Sequence, residues 1–300
     1  MPIVSTPVAD LEYHDDGPAD GTPVLLLHGF PDTPATWDGV LALLPDDVRA
    51  IRPMLRGVGA SRVRDDAADA RSGQVAALAA DVLDLADALR LDRFLLVGHD
   101  WGARAAHAVA VLAPERLTGL VTIATPYGDR GHLSAAERLD DAAVAWYRYW
   151  LCTEAGARAF RTDPTALVRW AWANWSPSLR LDPTEEQAML GAFDTDEFAA
   201  DVVHYYRHGA GEAPGSPRYA STQALLDTWP AITVPTTFLI GTADGSETLP
   251  AARGNEASFA SGRDLVELPG VGHFVQREDP IAVAAAVRAH LDRVRRAADA

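Results

Sequence analysis

The segment Phe94-Leu95-Leu96-Val97-Gly98-His99-Asp100-Trp101-Gly102-Ala103 constrains this chain more than any other, because it carries an apolar strand directly into a helix. Glycines stand two residues before and two residues after the one acidic residue, Asp100. That spacing suits a turn whose central residue is strained and whose neighbours let strand and helix approach closely. Taken alone, Asp100 also fits an aspartate that merely caps the following helix. The apolar runs at 24–27, 94–97 and 120–124 read as strands buried on both faces. Between them Leu78, Val82, Leu85 and Leu89 recur at helical spacing. Strand and helix alternate, so the expected class is α/β, with a mostly parallel central sheet flanked by helices.

Near Thr125-Pro126 the pattern turns helical and stays so to about Asp227, a stretch holding five of the eight tryptophans and six of the seven tyrosines. Strand signals return at 234–240 and 265–268, before an amphipathic helix through Val283, Val287, Leu291 and Val294. The expected organisation is therefore a core of residues 1–125 and 228–300 with a helical cap, 126–227, inserted in it. Charge narrows the partners: 42 acidic residues face 26 basic ones, all arginine, for a net charge of −16. Such a chain repels phosphate backbones and anionic lipid, so neither nucleic acid nor membrane is expected as a partner. Cys152 is the single cysteine, the start Met1-Pro2-Ile3-Val4-Ser5 lacks the marks of a signal peptide, and no apolar run reaches about 18 residues. A soluble cytoplasmic protein is expected. The acidic stretch 62–71, with Asp65, Asp66 and Asp69, reads as a solvated loop.

A second motif, His28-Gly29-Phe30-Pro31, ends the strand at 24–27 and directs another loop to the same point. In this arrangement the backbone N–H groups of Phe30 and Trp101 form an oxyanion hole, while His28 holds the loop by hydrogen bonds. Downstream, Gly241-Thr242-Ala243-Asp244-Gly245 places Asp244 on a loop after a strand, and Gly270-Val271-Gly272-His273-Phe274 does the same for His273. Nucleophile, acid and histidine thus follow in the order Asp100, Asp244, His273.

With these residues the chain resembles the epoxide-hydrolase and dehalogenase branch of the α/β-hydrolase family over nearly its whole length. Gly-His-Asp-Trp-Gly is typical of epoxide hydrolases, and Arg56-Gly57-Val58-Gly59-Ala60-Ser61 resembles a structural loop of the family, with valine replacing its usual aromatic. An aspartate nucleophile is already ionised at neutral pH and suits attack at a saturated carbon. The resemblance implies an alkyl ester on Asp100, hydrolysed by water that His273 activates with Asp244 behind it. It also implies two cap tyrosines that protonate the opening ring. Trp146-Tyr147-Arg148-Tyr149-Trp150-Leu151 and His204-Tyr205-Tyr206-Arg207 resemble the family's cap motifs, which makes Tyr147 and Tyr206 the donor pair, with Tyr149 as a neighbour of the first. The expected product is a vicinal diol, the expected substrate an apolar, bulky small-molecule epoxide. No cofactor is required and no metal is expected, although His204 and His208 lie four residues apart.

Two other readings stand beside this one. A haloacid or haloalkane dehalogenase shares the aspartate nucleophile, and Arg104 offers a haloacid carboxylate a partner. Against it, Trp101 stands where haloacid enzymes carry a second arginine, and Phe30 where haloalkane enzymes carry a side-chain halide donor. The third reading is a catalytically silent member of the fold that binds a small ligand beneath the cap.

Overall fold

The computed structural model describes residues 1–298, and among these nine strands form one sheet. In chain order they are β1 (Ile3–Ser5), β2 (Ala9–Asp16), β3 (Thr22–Leu27), β4 (Val48–Pro53), β5 (Arg62–Val63), β6 (Phe94–His99), β7 (Leu117–Ile123), β8 (Thr236–Gly241) and β9 (Arg263–Leu268). Their order in space is β1-β2-β4-β3-β6-β7-β8-β9, with β5 paired to β2. Every pairing from β4 to β9 is parallel, whereas β1, β2 and β5 form an antiparallel edge.

Alternation of side chains in the central strands explains why they read as continuous apolar runs. Leu25, Leu27, Phe94 and Leu96 face one core, which includes Leu78, Val82 and Leu85 of helix α1 (Val75–Ala88). Val24, Leu26, Leu95 and Val97 face the other, closed by Val283, Val287 and Leu291 of the C-terminal helix Pro280–Ala298. Both faces of the sheet are covered, so neither residue parity is free to be polar. The strand expected at 234–240 starts at Thr236, because Pro235 has no N–H to give to a ladder.

Helix α2 (Trp101–Leu112) follows β6. Although β7 and β8 are neighbours in the sheet, the chain between them leaves it for the helices α3 (Ala135–Val144), α4 (Trp146–Cys152), α5 (Glu154–Thr162), α6 (Pro164–Trp175), α7 (Pro183–Phe193), α8 (Asp196–Gly209) and α9 (Ala220–Leu226). Ser134, Thr153, Asp163, Asp182 and Thr195 each cap a helix start by accepting a backbone N–H, so polar side chains punctuate this insertion. The insertion is tied to the sheet domain by Trp172 Nε1 donating to Pro31 O (2.8 Å), Gly73 N donating to His204 Nδ1 (2.8 Å) and Ala76 N donating to Gln223 Oε1 (3.1 Å). Among the described residues no helix is long and apolar enough to cross a membrane.

The stretch 62–71 is not the solvated loop expected. It contributes β5 and then two 3₁₀ turns within Asp65–Ala70, joined at a kink at Ala67 (φ −123°, ψ 35°); Ala67 and Ala70 are buried while Asp65 and Asp66 stay exposed. The small apolar alanines turn inward while the acidic side chains stay in water. Asp69 then meets the helical insertion through Arg218 (3.0 Å).

A second acidic contact lies in the same interface. Asp201 of α8 packs against Gly57, and its buried Oδ2 has no hydrogen-bond partner among the described residues. Burial, with Glu197 and Asp81 adding to it and Arg56 and Arg71 opposing, pushes its carboxyl up to about 7. The unfolded chain titrates this group near about 4, so between those values the native state binds more protons and stability falls as pH rises. Asp201→Asn should therefore raise the unfolding free energy measured by urea titration at pH 8 by an amount on the order of a few kcal/mol and leave it unchanged near pH 4.

Candidate active site

Asp100 sits between β6 and α2 with φ 51° and ψ −113°, a conformation that costs a non-glycine residue roughly 1–3 kcal/mol. Its side chain does not cap α2. Glycine is required around it by contact: a Cβ on Gly98 would lie 2.3 Å from Gly102 O, and one on Gly102 would lie 2.4 Å from Leu27 O. The carboxylate is turned instead toward the loop after β3, where Phe30 N donates to Oδ1 at 2.8 Å. That loop is held by His28, whose Nε2 accepts from Leu55 N (3.0 Å) and whose Nδ1 therefore donates to Gly29 O (3.1 Å). Burial drops the His28 pKa to about 4, which keeps this neutral tautomer at physiological pH.

The loops after β8 and β9 bring Asp244 and His273 to the same place. His273 Nδ1 lies 2.9 Å from Asp244 Oδ2 and 3.1 Å from Oδ1, while Nε2 faces Asp100 Oδ2 at 3.7 Å. All three groups are buried. Burial opposes charge on His273, but carboxylates facing both ring nitrogens outweigh it and hold the imidazole pKa well above its usual value. Burial likewise opposes ionisation of Asp100, yet His273 and the Phe30 N–H pull its pKa down to about 2. The resting arrangement is thus an ionised carboxylate beside an imidazolium.

Tyr147 on α4 and Tyr206 on α8 meet above this group, with ring centroids 5.4 Å apart at 86°. Tyr206 Oη accepts from Trp101 Nε1 at 3.2 Å. Tyr147 is fully buried, and its Oη lies 3.2 Å from Ser246 Oγ, whereas Tyr149 is 61% exposed. Phe30, Trp101 and Trp175 complete an aromatic surround, the Phe30 and Trp101 rings stacking at 5.5 Å and Trp175 lying 5.1 Å from His273.

Next to this surround is a cavity of about 690 Å³ between the sheet domain and the insertion, lined among others by Arg104, His107, Arg148, Tyr205 and Tyr206. It reaches Tyr206, but neither Asp100 nor His273 is in its wall, and the Tyr205 ring stacks on Trp101 at 4.0 Å between the two spaces. Its wall carries more charge than the aromatic sequence of the insertion suggested. Both His204 ring nitrogens are engaged, Nδ1 with Gly73 N and Nε2 with Pro214 O, which leaves neither for an ion.

Several contributors escaped the sequence. Trp175 O accepts from His273 N (2.9 Å) and from Gly245 N (3.1 Å), so the end of α6 holds the loops of both Asp244 and His273. His99, neutral because burial drops its pKa to about 3, donates from Nε2 to His273 O (3.1 Å). Ser246 and Glu247 lie beside Asp244, and Arg148 lies beside Tyr147. Only adjacency to a motif residue could have pointed to these three, and backbone carbonyl contacts such as that of Trp175 leave no signal in residue type.

A family description of the alpha/beta hydrolase fold matches residues 22–280. An epoxide hydrolase from Caballeronia sordidicola is 31% identical over 285 residues, covering 86% of this chain and 84% of that protein. A solved structure from Klebsiella pneumoniae, a candidate epoxide hydrolase, superposes with a TM-score of 0.86 at 32% identity, covering 96% of each chain. A fluoroacetate dehalogenase from a Burkholderia species is 36% identical over 103 residues, 34% of either chain. With Asp100 on its strained turn, Asp244 and His273 brought together at the carboxyl ends of parallel strands, the chain belongs to the α/β-hydrolase family, in its epoxide-hydrolase branch, and is a hydrolase.

Proposed function

We propose that the protein converts a small-molecule epoxide to a vicinal diol through an ester on Asp100. The observation that carries this reading is a buried, ionised carboxylate with one oxygen bound by the Phe30 N–H, facing His273 and surmounted by two phenols. Oδ1 is occupied by that N–H, so Oδ2 attacks a ring carbon and the carbon–oxygen bond breaks. The alkoxide takes a proton from Tyr147 or Tyr206. The His273 imidazolium returns a proton to the phenolate; in the second step neutral His273 removes a proton from water, the hydroxide adds to the ester carbonyl, and the N–H groups of Phe30 and Trp101 stabilise the oxyanion. Collapse breaks the ester carbon–oxygen bond, the departing alkoxide takes a proton from His273 and leaves as the diol, and the carboxylic acid of Asp100 gives its proton to His273, which restores the resting pair. The helices of residues 126–227 act as a cap that excludes bulk water from this chemistry, and the chemistry needs neither metal nor cofactor. The reading also places the protein in the cytoplasm, with an apolar epoxide against the aromatic surround.

Tyr206→Phe and Tyr147→Phe are each expected to slow ester formation about 10- to 100-fold, while leaving hydrolysis of the preformed ester near its normal rate. Rapid-mixing measurements of tryptophan fluorescence on adding styrene oxide would separate the two steps. Equal rates of ester formation in both variants and wild type would remove the tyrosines from the mechanism.

One observation favours a second reading, haloacid dehalogenation. Arg104 lines the cavity, and among the described residues it has no carboxylate within ion-pair distance. Halide release from haloacetates with no diol formed from neutral epoxides would make that reading the better one.

A further inference from the structure

We infer that Arg148 and Glu247 are positioning residues for the proton donor Tyr147, coupled to the triad through the loop that carries Asp244. This inference rests on the epoxide-opening reading and deepens it. The loop Asp244-Gly245-Ser246-Glu247 folds back on the triad acid, because Ser246 N and Glu247 N both donate to Asp244 Oδ1, at 2.7 and 3.0 Å. Its tightness has a steric basis: a Cβ on Gly245 would lie 2.2 Å from Asn174 O at the end of α6. Folding in this way places Ser246 Oγ 3.2 Å from Tyr147 Oη and sends the Glu247 side chain, 1% exposed, to Arg148 Nη2 at 2.6 Å and Arg130 Nη2 at 3.0 Å.

Arg148 completes the connection. Its Nε donates to Tyr147 Oη at 3.2 Å, and its guanidinium carbon lies 5.7 Å from the Tyr147 ring centre. A phenol oxygen accepts a hydrogen bond and carries one proton to donate. With Arg148 Nε donating to that oxygen, the Tyr147 O–H is left to donate, to a substrate oxygen or, without one, to Ser246 Oγ. When that proton is given up, the phenolate forms beside a fixed cation instead of in an apolar wall. Glu247 keeps the cation in place. Burial works against its charge, but Arg148 and Arg130 hold its carboxyl below its usual range, so the pair stays ionised. An ion pair that only fastened α4 to the sheet domain would not need to deliver an N–H to the phenol.

The test is a double-mutant cycle read step by step with styrene oxide as the probe. Glu247→Gln should slow ester formation about tenfold while ester hydrolysis changes by less than about twofold, and in a Tyr147→Phe background it should have no further effect on ester formation. Arg148→Met should behave like Glu247→Gln, and Arg148→Lys should recover part of the loss, with thermal melts establishing that each variant is folded. Equal slowing of both steps, a full additional loss in the Tyr147→Phe background, or wild-type ester formation in Glu247→Gln would each overturn the inference while the epoxide reading stands. Failure of the wild type to form any ester would instead overturn the epoxide reading, and this inference with it.

Discussion

Asp100→Asn is expected to abolish turnover, with a loss of about 10⁴-fold or more in kcat/KM, because it removes the proposed nucleophile while changing almost nothing in shape. The wild-type carboxylate is in the attacking form throughout the neutral range, its pKa being pulled down to about 2 by His273 and the Phe30 N–H despite its burial. The amide has no comparable nucleophilicity, and no other acid lies at the elbow to replace it. Diol formation followed by chromatography is the readout. Diol release by Asp100→Asn within tenfold of wild type, with no reversion of the amide shown by mass, would end the assignment of Asp100 as nucleophile.

His273→Gln should fail differently. Ester formation does not require the imidazole as a base, so the variant should become alkylated and then stall, with steady-state turnover falling about 10³-fold. The resting electrostatics give the timing. His273 lies between Asp244 at 2.9 Å and Asp100 at 3.7 Å, and the two carboxylates together keep it protonated. Conversion of Asp100 to a neutral ester removes one of those charges, which lowers the imidazole pKa at the moment a base is needed. Intact mass after exposure to styrene oxide should show the protein plus one whole epoxide, and peptide mapping should put the added mass on Asp100. An adduct on another residue would overturn the mechanism. A carboxymethyl adduct from a haloacetate, with halide released, would move attention to Arg104.

Much of the proposed site is legible in the sequence, and the reasons differ by residue. Gly98 and Gly102 announce themselves because their close contacts exclude a Cβ, and Asp100 stands out between them as a non-glycine residue at a strained positive φ. Asp244 and His273 are marked by their position after apolar strands, since in a parallel sheet strand ends gather on one edge. The alternating sheet and the helical insertion followed from hydrophobic periodicity. The stretch 62–71 misled because its charge was legible and the burial of Ala67 and Ala70 was not.

What the sequence by itself determined is the fold and the residues of the proposed site: an aspartate on a tight turn, a second aspartate and a histidine in order behind it, and an alternating pattern that makes a parallel sheet to hold them. Tertiary structure alone decided which tyrosine of the Tyr147 and Tyr149 pair is buried, where Arg148 and Glu247 meet, and that the Trp175 carbonyl holds the loops of both Asp244 and His273. The physical reason is range. A turn or a helix face is set by residues a few positions apart and leaves a local pattern, whereas the contacts between α4, α6 and the loop after β8 join segments about 70 to 100 residues apart in the chain, where pairing depends on how whole helices pack.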